Sequence, residues 1–405
     1  MQQTFLGRNE LLQFLKSQPL LRYAYHSWGF HSKACLAEGQ LPVVVSNFVA
    51  RANTYPLISS DDGFDILKPC HIAAYSGLPD LLPATNEWCN QVTEILGLTP
   101  LILASANGHR AIVEELLCRN NVDINSQDKR GQTALFAASD NGHEVIVEFL
   151  LSRTDVSINT ATTMASHHTA AGQTALFTAS RNGHVGVVKL LLSRNDIDIN
   201  SQDEDGQTAL FAASCRGHEA VVKLLLSRAD VAVNTTTTRS TTKSHFTFLS
   251  AGQTALLAAS CNGHGGVVKL LLSRNDIDIN SQDEDGQTAL FAASCRGHEA
   301  VVKLLLSRVD VAVNTTTTRS TTTARSTTMA RSTTTWFIRP SSRFVMPAGQ
   351  TALLAAFRNG HGGVVKLLLS RNDIDINTPD MALDLLAVAM MRTFYFMSPI
   401  WKFWY

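Results

Sequence analysis

The sequence is poor in almost everything a catalyst or a membrane protein needs. Nowhere in its 405 residues is there a Gly-x-x-x-x-Gly-Lys-[Ser/Thr] run, so no loop of that kind cradles a triphosphate. No Gly-x-Ser-x-Gly elbow and no kinase signature is present either. The seven cysteines contain no Cys-x-x-Cys pair, and an odd number of scattered thiols points to a reducing compartment rather than a disulfide framework. Charged residues make up only 17% and the formal net charge is zero, which gives no bulk attraction to nucleic acid or to an anionic membrane. No uncharged apolar run reaches the length of a membrane span, because Asp384 and Arg392 interrupt the most apolar stretch. The N-terminus places Arg8, Glu10 and Lys16 among short apolar runs and has no signal-peptide pattern, so a cytoplasmic location is expected.

What is abundant is repetition. Residues 172–242 recur as 252–322, and over those 71 positions only five differ: Phe177/Leu257, Thr178/Ala258, Arg181/Cys261, Val185/Gly265 and Ala229/Val309. Gly-Gln-Thr-Ala-Leu begins at 131, 172, 206, 252, 286 and 349, with Gly97-Leu98-Thr99-Pro100-Leu101 as a variant start. The spacing is 34 from 97 to 131, from 172 to 206 and from 252 to 286, and otherwise 41, 46 and 63, which leaves insertions of 7, 12 and 29 residues. A fixed period of this size marks an array of stacked supersecondary units.

One unit, from Gly206, has a direct physical reading. Thr208 is placed to cap a helix of small and apolar residues from Ala209 to Ser214, and Gly217 closes it. His218 opens a second helix, whose Val221, Val222, Leu224, Leu225 and Leu226 form a broad apolar face while Lys223 points to solvent. Asp230 to Asn234 alternates polar and apolar residues like the arm of a projecting hairpin. A single unit cannot bury its own apolar face, so its neighbours must.

These units resemble ankyrin repeats, whose glycine turn, Thr-Pro-Leu-His-x-Ala-Ala, Gly-His and Val-Val-x-Leu-Leu are matched by Gly97, Thr99, Pro100, Leu101, Ala104, Gly108 and His109 and again in each later unit. Six units carry alanine for the proline, and the second helix runs into Ser-Arg-Asn-Asp where the family has glycine. The resemblance implies an all-α solenoid of about eight helix-turn-helix repeats with β-hairpin fingers over residues 63–382, with Pro69-Cys70-His71-Ile72-Ala73-Ala74 and Gly77 as a degraded first repeat. It also implies a non-catalytic protein–protein interaction scaffold, without cofactor, whose fingers and first helices line the binding face.

Residues 1–62 read as a short helical segment ahead of the array. Within it Pro19-Leu20-Leu21-Arg22-Tyr23-Ala24-Tyr25-His26-Ser27-Trp28-Gly29-Phe30-His31 resembles the helical region before the array in fungal NACHT–ankyrin receptors. That resemblance implies the sensing arm of such a receptor, or a relative lacking its NTPase. Three threonine-rich inserts, at 160–171, 235–250 and 315–347, have a composition that cannot offset its own ordering entropy. At residues 383–405 the chain ends in a cap or tail crowded with aromatics, including Phe394, Trp401 and Trp404, and a partner or membrane-surface contact stays open there.

The surface supplies the candidate binding residues. The finger tips carry the acidic triplets Asp203, Glu204, Asp205 and Asp283, Glu284, Asp285, which read as a rim suited to a basic segment. The end of the first helix varies between units and offers Arg181, Arg216 and Arg296. Metal chemistry finds little support. Asp196-x-Asp198-x-Asn200 begins like a calcium loop but lacks its glycine and its bidentate glutamate, and the Gly-His pairs recur once per unit, as helix-opening histidines bonded to backbone would. His167-His168 is a weak metal candidate.

Overall fold

The computed structural model describes residues 55–58, 64–82, 88–119, 121–165, 170–238, 251–318 and 349–376. Two compact units are present: Met1–Ala213 with Ala220–Val231 and Thr241–Thr247, and Ser214–Glu219 with Ala232–Ser240 and Phe248–Tyr405.

The first unit starts with an antiparallel hairpin of β1 (Tyr55–Ile58) and β2 (Phe64–Leu67), with Tyr55 opposite Leu67 and Ile58 opposite Phe64. Apart from Pro56 and Asp65, both strands are built from isoleucine, leucine and aromatic residues, and the sequence Asp61-Asp62-Gly63 between them has turn chemistry. The expectation of a helical segment over 1–62 thus meets a strand at 55–58, and the rest of it, with Pro19 to His31, lies outside the described residues. Next comes α1 (Pro69–Ser76), with proline in its first turn and Gly77 as a left-handed cap at φ 69°, and then a single 3-10 turn over Pro79–Leu81. This is the degraded first repeat, with that turn where a second helix would be.

Among the described residues seven helix pairs come after it: α2 (Pro100–Ala106) and α3 (Arg110–Leu117), α4 (Ala134–Asp140) and α5 (Glu144–Leu151), α6 (Ala175–Asn182) and α7 (Val185–Leu192), α8 (Ala209–Arg216) and α9 (Glu219–Leu226), α10 (Ala255–Cys261) and α11 (Gly265–Leu272), α12 (Ala289–Arg296) and α13 (Glu299–Leu306), α14 (Ala352–Arg358) and α15 (Gly362–Leu369). Every first helix begins at a threonine whose hydroxyl accepts the N–H three residues on, at 3.2–3.3 Å. In the first unit α1, α2, α4 and α6 pack side by side, as do α3, α5 and α7; in the second α10, α12 and α14 form one row and α11, α13 and α15 the other. First helices are buried almost all round, whereas a second helix such as α13 buries only Val301, Val302 and Leu305.

Side chains tie neighbouring repeats to each other's backbone. In the second unit Nε2 of His264, His298 and His361 donates to the carbonyls of Cys215, Cys261 and Cys295 at 3.1 Å, and in the first unit His109, His143 and His184 do the same to Tyr75, Ala106 and Asp140. The ring needs room, and the preceding repeat supplies it: a Cβ on Gly263, at φ +77°, would sit 2.7 Å from the His298 ring. An asparagine of each finger, such as Asn280, donates to the Asp310 carbonyl at 2.7 Å and accepts the Ala312 N–H at 2.7 Å in the next finger. Arg308 grips Asp310 with Nε and Nη2 and reaches back with Nη1 to the Leu272 carbonyl at 3.1 Å. That bridge is what Ser-Arg-x-Asp provides where a glycine would simply turn the chain.

A further contact alternates along the array. The carboxylate of Glu144 lies over Gly186, that of Glu219 over Gly266 and that of Glu299 over Gly363; a Cβ at any of these glycines would overlap it. Each glutamate begins one second helix and each glycine sits in the first turn of the next, where a helix N-terminus attracts negative charge.

The fingers are tighter than hairpin arms: among the described residues they carry no strand, only a clasp. Asp203 exchanges bonds with Gln207 and Gly206, and Thr162, Thr237 and Thr317 make the same main-chain pair with Gln173/Gly172, Gln253/Gly252 and Gln350/Gly349. The hydroxyl of each threonine also accepts the glutamine N–H, at 3.0–3.1 Å. Two residues separate Asp203 from Gly206; the inserts of 7, 12 and 29 residues all fall between clasp threonine and clasp glycine.

Candidate functional site

The surface that varies from repeat to repeat consists of the finger turns and the ends of the first helices. In the turn, one oxygen of Asp203 accepts the N–H groups of Asp205 and Gln207 at 3.1 and 2.9 Å, which draws the carboxylate inward. Glu204 hangs its own N–H on the Ala171 carbonyl of the preceding repeat, at 2.9 Å. The equivalent Asp283 accepts from Asp285 and Gln287 at 3.0 and 2.8 Å, with Glu284 bonded to Ala251.

This departs from the expected rim of six carboxylates suited to a basic segment. Asp203, Asp205 and Asp283 are only 7%, 4% and 6% exposed, and Asp285 is half-buried; Glu204 and Glu284 are the exposed members. Burial pushes the Asp203 carboxyl up to about 6, against the pull of the Gln207 N–H, and pushes those of Asp283 and Asp128 in the same direction. The two triplets are therefore turn-building residues with one exposed glutamate each.

The helix ends differ between the units. In the first, Asp140 on α4 gathers the Thr178 hydroxyl, the Asn182 amide at 2.9 Å and the Arg181 guanidinium at 3.8 Å. Arg181 is thus engaged inside the array. In the second unit Arg216, Arg296 and Arg358 are exposed at the ends of α8, α12 and α14. Beside them Cys215, Cys261 and Cys295 are half-buried, and burial raises all three thiols, offset in part by the guanidinium of Arg216 or Arg296. Asn262 donates to the Cys215 carbonyl at 3.0 Å and Asn359 reaches the Cys295 sulfur at 3.4 Å. Raised, half-buried thiols make poor nucleophiles.

Among the described residues no group of three or more His, Cys, Asp or Glu is placed to hold a metal ion. The side chains that resembled a calcium loop serve the array: Asp196 pairs with Arg194 at 2.8 Å, Asp198 accepts the Asn200 N–H, and Asn200 donates to Asp230. His167-His168 lies outside the described residues. No described helix is long and apolar enough to cross a membrane. Asp140 is not legible as a hub in the sequence, since its partners lie 38–42 residues away.

A family model described as ankyrin repeats, in three copies, matches residues 70–162, 161–237 and 238–317, and one for a single ankyrin repeat matches 348–381. Together they cover more than half of the chain. No curated protein matches it.

Proposed function

The chain belongs to the ankyrin repeat family, and from that premise we propose that it is a non-catalytic scaffold binding other proteins through its finger turns and first-helix ends. One observation carries the reading. Between repeats whose frameworks are nearly identical, the seventh residue of the first helix changes from Ala106 to Asp140, Arg181, Cys215, Cys261, Cys295 and Arg358. A position that takes so many residue types on one framework is where partner choice can be written.

In the second unit this surface offers Arg216, Arg296 and Arg358, and arginine is favoured in interface anchors because its planar fork meets carboxylates bidentately. A partner caught by cross-linking to the full chain, then purified, tests the face. Arg216→Glu with Arg296→Glu should weaken rebinding by about tenfold or more. Lys303→Glu, on the second-helix ridge, should leave it unchanged. Equal loss from both changes, or loss from neither, sinks this face as the contact.

A second reading makes the chain the sensing arm of a NACHT-type receptor; its support is the Pro19 to His31 resemblance. An NTPase reading frame directly upstream in the gene decides it. A cytoplasmic, reducing location belongs to either reading and is supported by the six described cysteines, none of which is in a disulfide.

A further inference from the structure

Three junctions of the second unit are closed in the same way, with Nε2 of His264, His298 and His361 each donating to a cysteine carbonyl of the preceding repeat at 3.1 Å. Two of them carry a carboxylate as well. Glu219 lies over Gly266 and Glu299 over Gly363, each in the first turn of the helix that the histidine opens. The junction of His298 has no such pair. The second helix before it starts at Gly265, and Ala300 stands where the other two have glycine. A Cβ built on Gly265 would meet only Leu304 Cδ1, at 4.0 Å, among the described residues.

The surroundings of the His298 ring are positive. Half-buried and packed on Gly263, it feels Arg296 of its own repeat, His264 of the preceding one and His361 of the following one. Along α10 to α15 the cationic side chains are Lys269, Arg296, Lys303, Arg358 and Lys366, and the one carboxylate, Glu299, is turned over Gly363. A second proton on the ring therefore sets like charge beside like charge where water is scarce, and burial with those neighbours holds His298 below the usual imidazole range. Protonation favours whatever state gives the ring back to solvent. We propose that the junction between the repeats opening at Gly252 and Gly286 is an acid-opened joint, at which a proton on His298 lets the repeats opening at Gly286 and Gly349 loosen together. Arg216 lies on one side of this joint and Arg296 on the other. Acid therefore splits the arginine face and frees its partner, a consequence that rests on the reading of that face given above. On the finger side of the same junction Asp283 opposes the opening, because burial raises its carboxyl and a proton there removes a buried charge.

The test is hydrogen exchange on the full chain at pH ~7.5 and ~5, corrected for the intrinsic pH dependence of amide exchange. Asp283→Asn serves as the parent, since it removes the opposing titration. In that parent the protection of α12 to α15 should fall by about fivefold or more at the lower pH, because opening is coupled to proton uptake. Adding His298→Gln should shrink the fall to less than about twofold, since glutamine takes up no proton. Gly265→Glu with Ala300→Gly, which rebuilds the glutamate–glycine contact at this junction, should flatten it as well while His298 stays in place. If His298→Gln leaves α12 to α15 unprotected already at the higher pH, the rebuilt contact decides by the same criterion. No fall in the parent overturns the joint, and an equal fall with His298→Gln overturns His298 as its sensor. No partner enters the measurement, so these outcomes stand apart from the success or failure of the arginine variants.

Discussion

The carboxylate of Glu219 occupies the space in which a side chain on Gly266 would begin. Two opposing effects meet at that glycine. Alanine in a helix gains about 0.5–1 kcal/mol over glycine, whereas losing an anion from a helix N-terminus costs about 0.3–1 kcal/mol. Gly266→Ala should therefore be close to neutral in the wild type, and should stabilise by about 0.5–1 kcal/mol only relative to the Glu219→Ala single variant. Urea unfolding of the four-member cycle measures the coupling; a value of zero would mean the two residues are merely adjacent.

Gly263, three residues before it, should behave in the opposite way. Its φ of +77° is unfavourable for any side chain, and a Cβ there presses on the His298 ring. Gly263→Ala is expected to cost about 1–3 kcal/mol, and a neutral outcome in thermal unfolding would show that the socket is loose.

Asp203 gives a prediction with an unusual sign. Its folded pKa of about 6 lies above the ordinary carboxylate value, so the folded state binds the extra proton. The group's contribution is complete below about pH 4 and is lost as pH rises through about 6. An asparagine side chain in its place would keep an oxygen for the Asp205 and Gln207 N–H groups without the buried charge. Asp203→Asn should thus stabilise by about 1–3 kcal/mol at pH ~8 and do little at pH ~4, while Glu204→Gln should be silent at both. Destabilisation at the higher pH would contradict the burial argument.

His298 works the other way. Burial, with Arg296, His264 and His361 nearby, holds its pKa below the usual imidazole value. Its stabilisation is present above about pH 6.5 and is lost as pH falls. His298→Gln should unfold more readily at pH ~8, by about 1–3 kcal/mol, and show a shallower loss of stability on acidification. Parallel pH profiles for the two proteins would rule this out.

The clasp of Thr317 with Gly349 and Gln350 closes the longest insert, so that insert should be removable. Closure entropy changes by only about 0.6 kcal/mol per doubling of loop length. Replacing residues 319–347 by a short turn should leave the melting temperature nearly unchanged. Leu305, fully buried on α13, should cost about 2–5 kcal/mol on change to alanine. An excision that costs more than Leu305→Ala would assign the insert a structural part.

Much of the framework is readable from one unit because its signals are local: Thr208 ahead of an apolar run, Gly217 after it, and three apolar positions on one face of the second helix. The finger acids mislead because local composition cannot separate a solvated carboxylate from one turned inward by two N–H groups, as Asp203 is. The arginine bridge from Arg308 to Leu272 and the overlap of Glu299 with Gly363 escape a single-unit reading for another reason. Their partners lie 36 and 64 residues away, and only stacking puts them in contact.

The glutamate–glycine contacts bear on how a gene of this kind changes length. Near-identical tandem stretches misalign during copying, and here the duplication repeats with a period of 80 residues, each period holding one glycine-bearing repeat followed by one glutamate-bearing repeat. Losing residues 172–251 would bring Glu144 against Gly266, and gaining another such stretch would bring a glutamate against a glycine again. Losing a single repeat of 34 residues, 172–205, would set Glu144 against Ala220 instead. A change in steps of two repeats therefore keeps each such glutamate facing a glycine, whereas a change of one repeat does not.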